Sequence, residues 1–235
     1  MSLNTFSSVV SKFQAAASKP EFVSFAEGVP SPECFPTLLI KQHSQDIFSD
    51  PSLSIPALSY GDPQGYGPLL DTLLAKHSDT AIPNAQCLAT SGAQEGLDLV
   101  SKLLLLNRSN TVMVENPTYM GALAAMSEYG PQIISFDVSK DLDFDALDQY
   151  LNIHKPVFLY LIPDFQNPSG YCYTLEQRLQ LAQILRKHNT ILVEDNPYGE
   201  INFSGDQLPS MHTICLLYTS PSPRDATLSR MPSSA

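Results

Sequence analysis

Basic residues are scarce in this chain: 13 Lys and Arg stand against 24 Asp and Glu over 235 residues, for a net charge of -11. That balance argues against a nucleic-acid partner, because a phosphate backbone is gripped by clustered Lys and Arg. Cysteine is sparse too. Cys34, Cys87, Cys172 and Cys215 are scattered, with no Cys-x-x-Cys pair and no histidine at ligand spacing. This speaks against a zinc site or a disulfide framework, and for free thiols in a reducing compartment. Long apolar runs are missing. Leu103–Leu106 falls far short of the roughly 20 residues that a membrane helix needs. The first residues show no basic segment followed by an apolar one, so no secretory leader is expected. The expectation is a cytoplasmic protein with neither nucleic acid nor membrane as partner. Apolar residues still make up 43% of the chain, enough to build a core.

What is present is a regular alternation. Residues 8–17 can form a short amphipathic helix, and Phe22–Ala26 reads as strand-like before a turn from Gly28 to Pro32. Residues 51–68 are rich in Pro, Gly and Tyr and read as an irregular loop. Strands are then expected at Cys87–Thr90, Thr111–Glu115, Ile133–Phe136, Val157–Ile162 and Thr190–Asp195. Helices are expected at Ala93–Leu106, Thr118–Tyr129, Asp143–Asn152 and from Thr174 to Asn189. Thr174 and Gln177 form a capping-box pattern, and Lys187, His188 and Asn189 suit a helix C-terminus. Strands alternating with helices of this length predict an α/β fold: a mainly parallel sheet with helices on both faces. From Thr219 to Ala235, ten of seventeen residues are Ser, Thr or Pro, and the periodicity stops near Ile214.

Ligands of such sheets gather where the strands end. Thr90-Ser-Gly-Ala-Gln94 joins a strand to a helix, which would leave the amides of Ala93 and Gln94 at a helix N-terminus, ready for an anion. Ser and Gly at such a junction equally serve a plain turn. Asn116-Pro-Thr-Tyr119 puts Tyr119 at the same edge, either stacked on a flat ligand or packed under a loop. Gln166-Asn-Pro-Ser-Gly170 presents the Asn167 amide there. Glu194-Asp-Asn-Pro-Tyr198 ends an apolar strand in Asp195, whose carboxylate needs a cationic partner if it is half-buried, or else caps a turn.

Taken in order, Tyr60-Gly-Asp-Pro-Gln-Gly65 and these four segments resemble the class I/II aminotransferases, pyridoxal-phosphate (PLP) enzymes of fold type I. The branch they resemble holds the 2-aminoadipate, kynurenine and aromatic aminotransferases. The resemblance covers roughly residues 20–213. It implies that Ala93 and Gln94 bind the PLP phosphate through their amides and that Tyr119 stacks on the ring. Asn167 and Tyr198 would hydrogen-bond the phenolic oxygen, and Asp195 would pair with the pyridine nitrogen. Gly28 would lie near the substrate, and Tyr60 would reach the phosphate of a partner subunit. A homodimer acting on an amino acid and a 2-oxo acid is implied.

The chain departs from the family in one respect that matters. The family's Schiff-base lysine follows the Asp195–Tyr198 element, yet Lys187 is the last lysine here. No catalytic residue is therefore assigned, and no role is given to Arg224 or Arg230. The expected organisation is an N-terminal arm and substrate-side segment over residues 1–50, an incomplete PLP-binding large domain over 51–213, and a non-native or disordered tail over 214–235. The family's small C-terminal domain is expected to be absent, and PLP binding to be weak or nil. The same scaffold also serves lyases, a cyclopropane synthase and the sensing domain of bacterial regulators. The cofactor residues are shared with the other enzymes and do not separate them. The regulators carry a helix-turn-helix domain ahead of the scaffold; about twenty residues precede the resemblance here and the chain is acidic, so that alternative is the less expected one.

Overall fold

The computed structural model describes residues 30–77, 87–106, 110–138, 141–203, 205 and 207–219, together with Lys12 and Ala15. Lys12 and Ala15 are helical; otherwise the expected elements at 8–17 and 22–26, and Gly28, lie outside the described residues. The chain divides into two compact units, Met1–Leu69 and Leu70–Ala235.

The first unit holds helices α1 (Thr37–Ser49) and α2 (Pro51–Leu58) and the start of α3 (Gly67–His77). Helix α2 corrects the irregular loop expected at 51–68. Two prolines stand in the helix without breaking it. Pro51 sits in the first turn, where its missing N–H costs nothing, and Asp50 caps the helix by accepting from the Ser52 amide at 2.8 Å. Pro56 lies inside the helix near its end.

The second unit is a four-stranded sheet of order β2-β1-β3-β4, built from β1 (Thr111–Asn116), β2 (Gln132–Asp137), β3 (Phe158–Leu161) and β4 (Ile191–Glu194). Every pairing is parallel, with Val114 opposite Tyr160 and Leu161 opposite Glu194. Helices α4 (Ala93–Leu105), α5 (Met120–Ser127), α6 (Phe144–His154), α7 (Leu175–His188) and α8 (Met211–Thr219) surround it.

Side-chain alternation along the strands sorts two cores. Val112, Val114, Phe158 and Tyr160 pack with Leu97 and Leu105 of α4 and Ala122, Ala125 and Met126 of α5. Met113, Leu159 and Leu161 pack with Leu147 and Leu151 of α6, Leu181 and Leu185 of α7, and Met211 and Ile214 of α8. The sheet is thus covered on both faces, which explains the unbroken apolar run of β3. Each fully buried Leu in these cores contributes about 1.5–3 kcal/mol.

Local signals set the helix ends. In α7 both bonds of the capping box form: the Gln177 amide donates to Thr174 Oγ1 at 3.2 Å, and the Thr174 amide donates to Gln177 Oε1 at 3.0 Å. Asn189 ends the helix in the left-handed region at φ 52°, behind Arg186, Lys187 and His188.

Two expectations are corrected. Cys87–Thr90 forms no strand. Its polar groups bond locally instead, Thr90 Oγ1 to the Gly92 carbonyl and the Ser91 amide to Glu95 Oε2, and such bonds compete with a ladder. Helix α5 starts at Met120, two residues later than expected, because Pro117 and Thr118 belong to the turn after β1. Regular structure also runs past Ile214: α8 continues to Thr219, and Ile214 is buried.

Candidate cofactor site

Parallel strands end at one edge, and three of the four segments singled out in the sequence follow β1, β3 and β4 at that edge. The fourth, Thr90–Gln94, arrives through an irregular segment and opens α4.

Helix α4 begins behind Gly92, whose φ of 95° is open to glycine and strained for other residues. No side chain caps it. The N–H groups of Ala93 and Gln94 therefore stay free of protein acceptors among the described residues, at the positive end of the helix dipole. Both residues are exposed. The Gln94 side chain reaches across to the Gly121 carbonyl at 3.0 Å and ties this turn to the start of α5.

Tyr119 is the N-terminal flanking residue of α5. Its half-buried ring packs against the α4/α5 core, and its outer atoms lie over Gly121. Beside it, Thr118 Oγ1 is buried with no partner among the described residues. The peptide bonds Asn116–Pro117 and Asn167–Pro168 are both cis.

Asn167 Nδ2 lies 3.4 Å from the Tyr198 hydroxyl and donates to it, so the turn after β3 meets the turn after β4. Asp195 is half-buried at the end of β4, held by its own amide on the Leu161 carbonyl at 3.0 Å. Its Oδ2 accepts the Tyr160 hydroxyl at 2.8 Å. Tyr160 is wholly buried, and its phenol is held far above its usual range, first by burial and then by the charge of Asp195. It stays a donor across any working pH.

Three buried polar residues support this edge, and none of them is given a role from the sequence. Glu115 is the penultimate residue of β1 and is 1% exposed. Gln166 is equally buried beside Asn167. Arg178, fully buried in α7, pairs with Asp164 and donates to the carbonyls of Pro163, Tyr173 and Pro209. A signal for Glu115 was available: Thr111–Glu115 and Thr190–Glu194 are both apolar strands closed by a glutamate. Glu194 accepts the Met211 and His212 amides at 2.8 and 2.9 Å and so caps α8.

The structure thus brings Ala93, Gln94, Tyr119, Asn167, Asp195 and Tyr198 to one edge of one unit. Tyr60 belongs to the other unit and is fully exposed. Lys187, the last lysine, pairs with Asp148 through its Nζ at 2.7 Å, on the helix end that leads into the start of β4 and so at the opposite edge. The donor set suits a flat ring: free amides for an anionic group, an amide and a phenol for an oxyanion, a carboxylate for a protonated nitrogen, and an orphaned hydroxyl beside the Tyr119 ring. Among the described residues no helix is long and apolar enough to cross a membrane.

Known proteins resemble this chain in sequence and fold. The family model "Aminotransferase class I and II" matches residues 36–223. A 2-aminoadipate transaminase of Thermus thermophilus is 35% identical over 197 residues, covering 83% of this chain and 48% of the relative. An aromatic-amino-acid aminotransferase of Thermococcus litoralis is 32% identical over 195 residues, covering 79% of this chain and 46% of the relative. The crystal structure of a Pyrococcus horikoshii kynurenine aminotransferase superposes with a TM-score of 0.76 at 30% identity, covering 90% of this chain and 54% of that one. The chain spans about half the length of the curated relatives it matches. With the family model covering most of its length, the chain belongs to the class I and II aminotransferases.

Proposed function

We propose that residues 93–198 hold pyridoxal phosphate and that the chain is the cofactor-binding portion of an aminotransferase, which moves an amino group from an amino acid to a 2-oxo acid. The observation that carries this reading is the Asp195 carboxylate, fixed by Tyr160 at the strand edge beside the Asn167–Tyr198 contact. The named relatives are aminotransferases, and the kynurenine aminotransferase structure is a complex with the amino form of this cofactor, PMP.

Pyridoxal phosphate, when bound, supplies an electron sink for the bonds around the substrate's α-carbon. The protein's residues do the rest. The Ala93 and Gln94 amides would receive the phosphate at the N-terminus of α4. Tyr119 would cover one ring face. Asn167 Nδ2 and the Tyr198 hydroxyl would donate to the phenolic oxygen and keep it anionic. Asp195 would hold a proton on the ring nitrogen, since an ionised carboxylate favours the charged partner. Tyr160 keeps that carboxylate turned toward the site.

Covalent attachment needs a lysine, and this sequence carries none after Asp195. The 235-residue chain is therefore read as a non-covalent binder without transaminase activity of its own. In the assembled enzyme, Tyr60 would reach the phosphate of a partner subunit in a homodimer, and Gly28 would lie near the substrate. The domain boundaries near residues 50 and 213 belong to the same reading. The test is borohydride treatment of the chain with PLP followed by intact-mass measurement. No stable adduct is expected; a stoichiometric lysine adduct would show that another lysine carries the cofactor.

A further inference from the structure

Glu115 is a buried acid in a place where an apolar residue would be easier to bury. It shares the strand face of Met113, which packs into the core with α6, α7 and α8. A carboxylate out of water needs several donors. Glu115 has three: its Oε2 accepts the Ile162 amide at 3.0 Å and Gln166 Nε2 at 3.2 Å, and its Oε1 accepts the Tyr173 hydroxyl at 2.9 Å.

Gln166 is the more telling partner. Its Nε2 also donates to the Pro117 carbonyl at 2.7 Å, and its Oε1 accepts the Ser169 amide at 2.9 Å and the Ser169 hydroxyl. One buried side-chain amide thereby spends all four of its hydrogen-bonding valences. Pro117 stands two residues before Tyr119, and Asn167 follows Gln166 directly. We propose that Glu115 is a positioning residue of the cofactor site: through Gln166 it sets the two turns that carry Tyr119 and Asn167 against each other. The proposal rests on the reading of residues 93–198 as a cofactor cradle.

Charge adds a signature that a merely space-filling residue lacks. Burial raises Glu115 to about 7, against the pull of its three hydrogen bonds, and Asp195 pushes the same way as burial. The titratable groups around it among the described residues are Tyr173 ahead of α7, Tyr160 on β3 and Asp195 after β4. An ionised Glu115 only accepts, which suits all three donors. A protonated one must donate, and one of the three contacts has to turn. The brace is therefore firmest above neutrality.

The test titrates pyridoxal phosphate into the full chain and into its Glu115→Gln and Gln166→Ala variants at pH about 6 and about 8. Amide hydrogen exchange of residues 163–170 is followed alongside. Both variants should bind about tenfold more weakly at the higher pH, the loss expected for a hydrogen bond to a charged group. The ratio of wild type to Glu115→Gln should shrink toward unity at the lower pH, where the cofactor's own titrations cancel. The Gln166 and Gly170 amides, bonded to the Tyr171 and Gln166 carbonyls, should lose protection while α6 keeps its own. Wild-type affinity at both pH values with unchanged protection would overturn the proposal. If the wild-type chain binds no pyridoxal phosphate, the cofactor reading falls, and the exchange data alone decide the brace. If Glu115→Gln does not fold, the same two readouts on Gln166→Ala decide it.

Discussion

Tyr160 donates its hydroxyl to Asp195 at 2.8 Å from a position on β3 that is closed to solvent. The bond joins the centre of the sheet to the acid at the edge where the strands end and fixes which way that acid faces. Tyr160→Phe keeps the ring and its packing and removes only the donor. About 1 kcal/mol of cofactor affinity, roughly a fivefold weaker Kd for pyridoxal phosphate, should be lost. Calorimetric titration reads it. An unchanged Kd would mean that Asp195 orients itself.

Glu115 makes a separate prediction about stability. Its folded pKa, raised by burial to about 7, lies above the value of an exposed carboxyl. The folded chain therefore favours the protonated acid. That contribution is whole below the ordinary carboxylate range and is lost as pH rises through about 7. Between pH about 5 and about 8 the unfolding free energy of wild type should fall by about 2–3 kcal/mol relative to Glu115→Gln. Urea melts at the two pH values measure the difference; parallel pH profiles would contradict it. Site geometry and stability then pull Glu115 in opposite directions, a conflict common at functional sites.

Arg178 is the other buried brace. Truncating it leaves Asp164 and the Tyr173 and Pro209 carbonyls without the guanidinium as donor, and leaves the Pro163 carbonyl with the Tyr173 amide alone. Arg178→Ala should cost on the order of 3–5 kcal/mol, as expected when one partner of a buried ion pair is removed. A denaturant midpoint within error of wild type would show that water replaces the guanidinium.

Gly121 separates stability from binding. A Cβ there would come within 2.5 Å of the outer ring atoms of Tyr119. Gly121→Ala should displace the ring while favouring helix α5 by up to about 1 kcal/mol. The melting temperature should hold or rise while pyridoxal phosphate affinity drops about fivefold, the worth of one aromatic contact. Equal affinity would indicate that Tyr119 does not need its present place.

Much of this was legible in the sequence, for physical reasons. β3 has a continuous apolar run because helices cover both faces of the sheet, and α7 announces itself through a capping box whose two bonds both form. The residues at the strand edge, from Asn116-Pro-Thr-Tyr119 to Asp195 and Tyr198, could be found because turns after parallel strands converge. Composition failed where proline served a helix start, at Pro51, and where polar residues near Thr90 bonded locally rather than to a neighbouring strand. It also failed for Glu115, Gln166 and Arg178. A polar residue inside a core is invisible to hydropathy, since only the three-dimensional arrangement supplies the partners that make its burial tolerable.

We read the strand-edge residues between Ala93 and Tyr198 as a pyridoxal phosphate cradle without a covalent anchor. Calorimetric titration of the 235-residue chain and its Asp195→Asn variant with pyridoxal phosphate tests it most directly. Weak, saturable, one-to-one binding is expected, with a Kd on the order of 0.1 mM that the substitution weakens about tenfold. No saturable binding, or equal binding by the two chains, would contradict it.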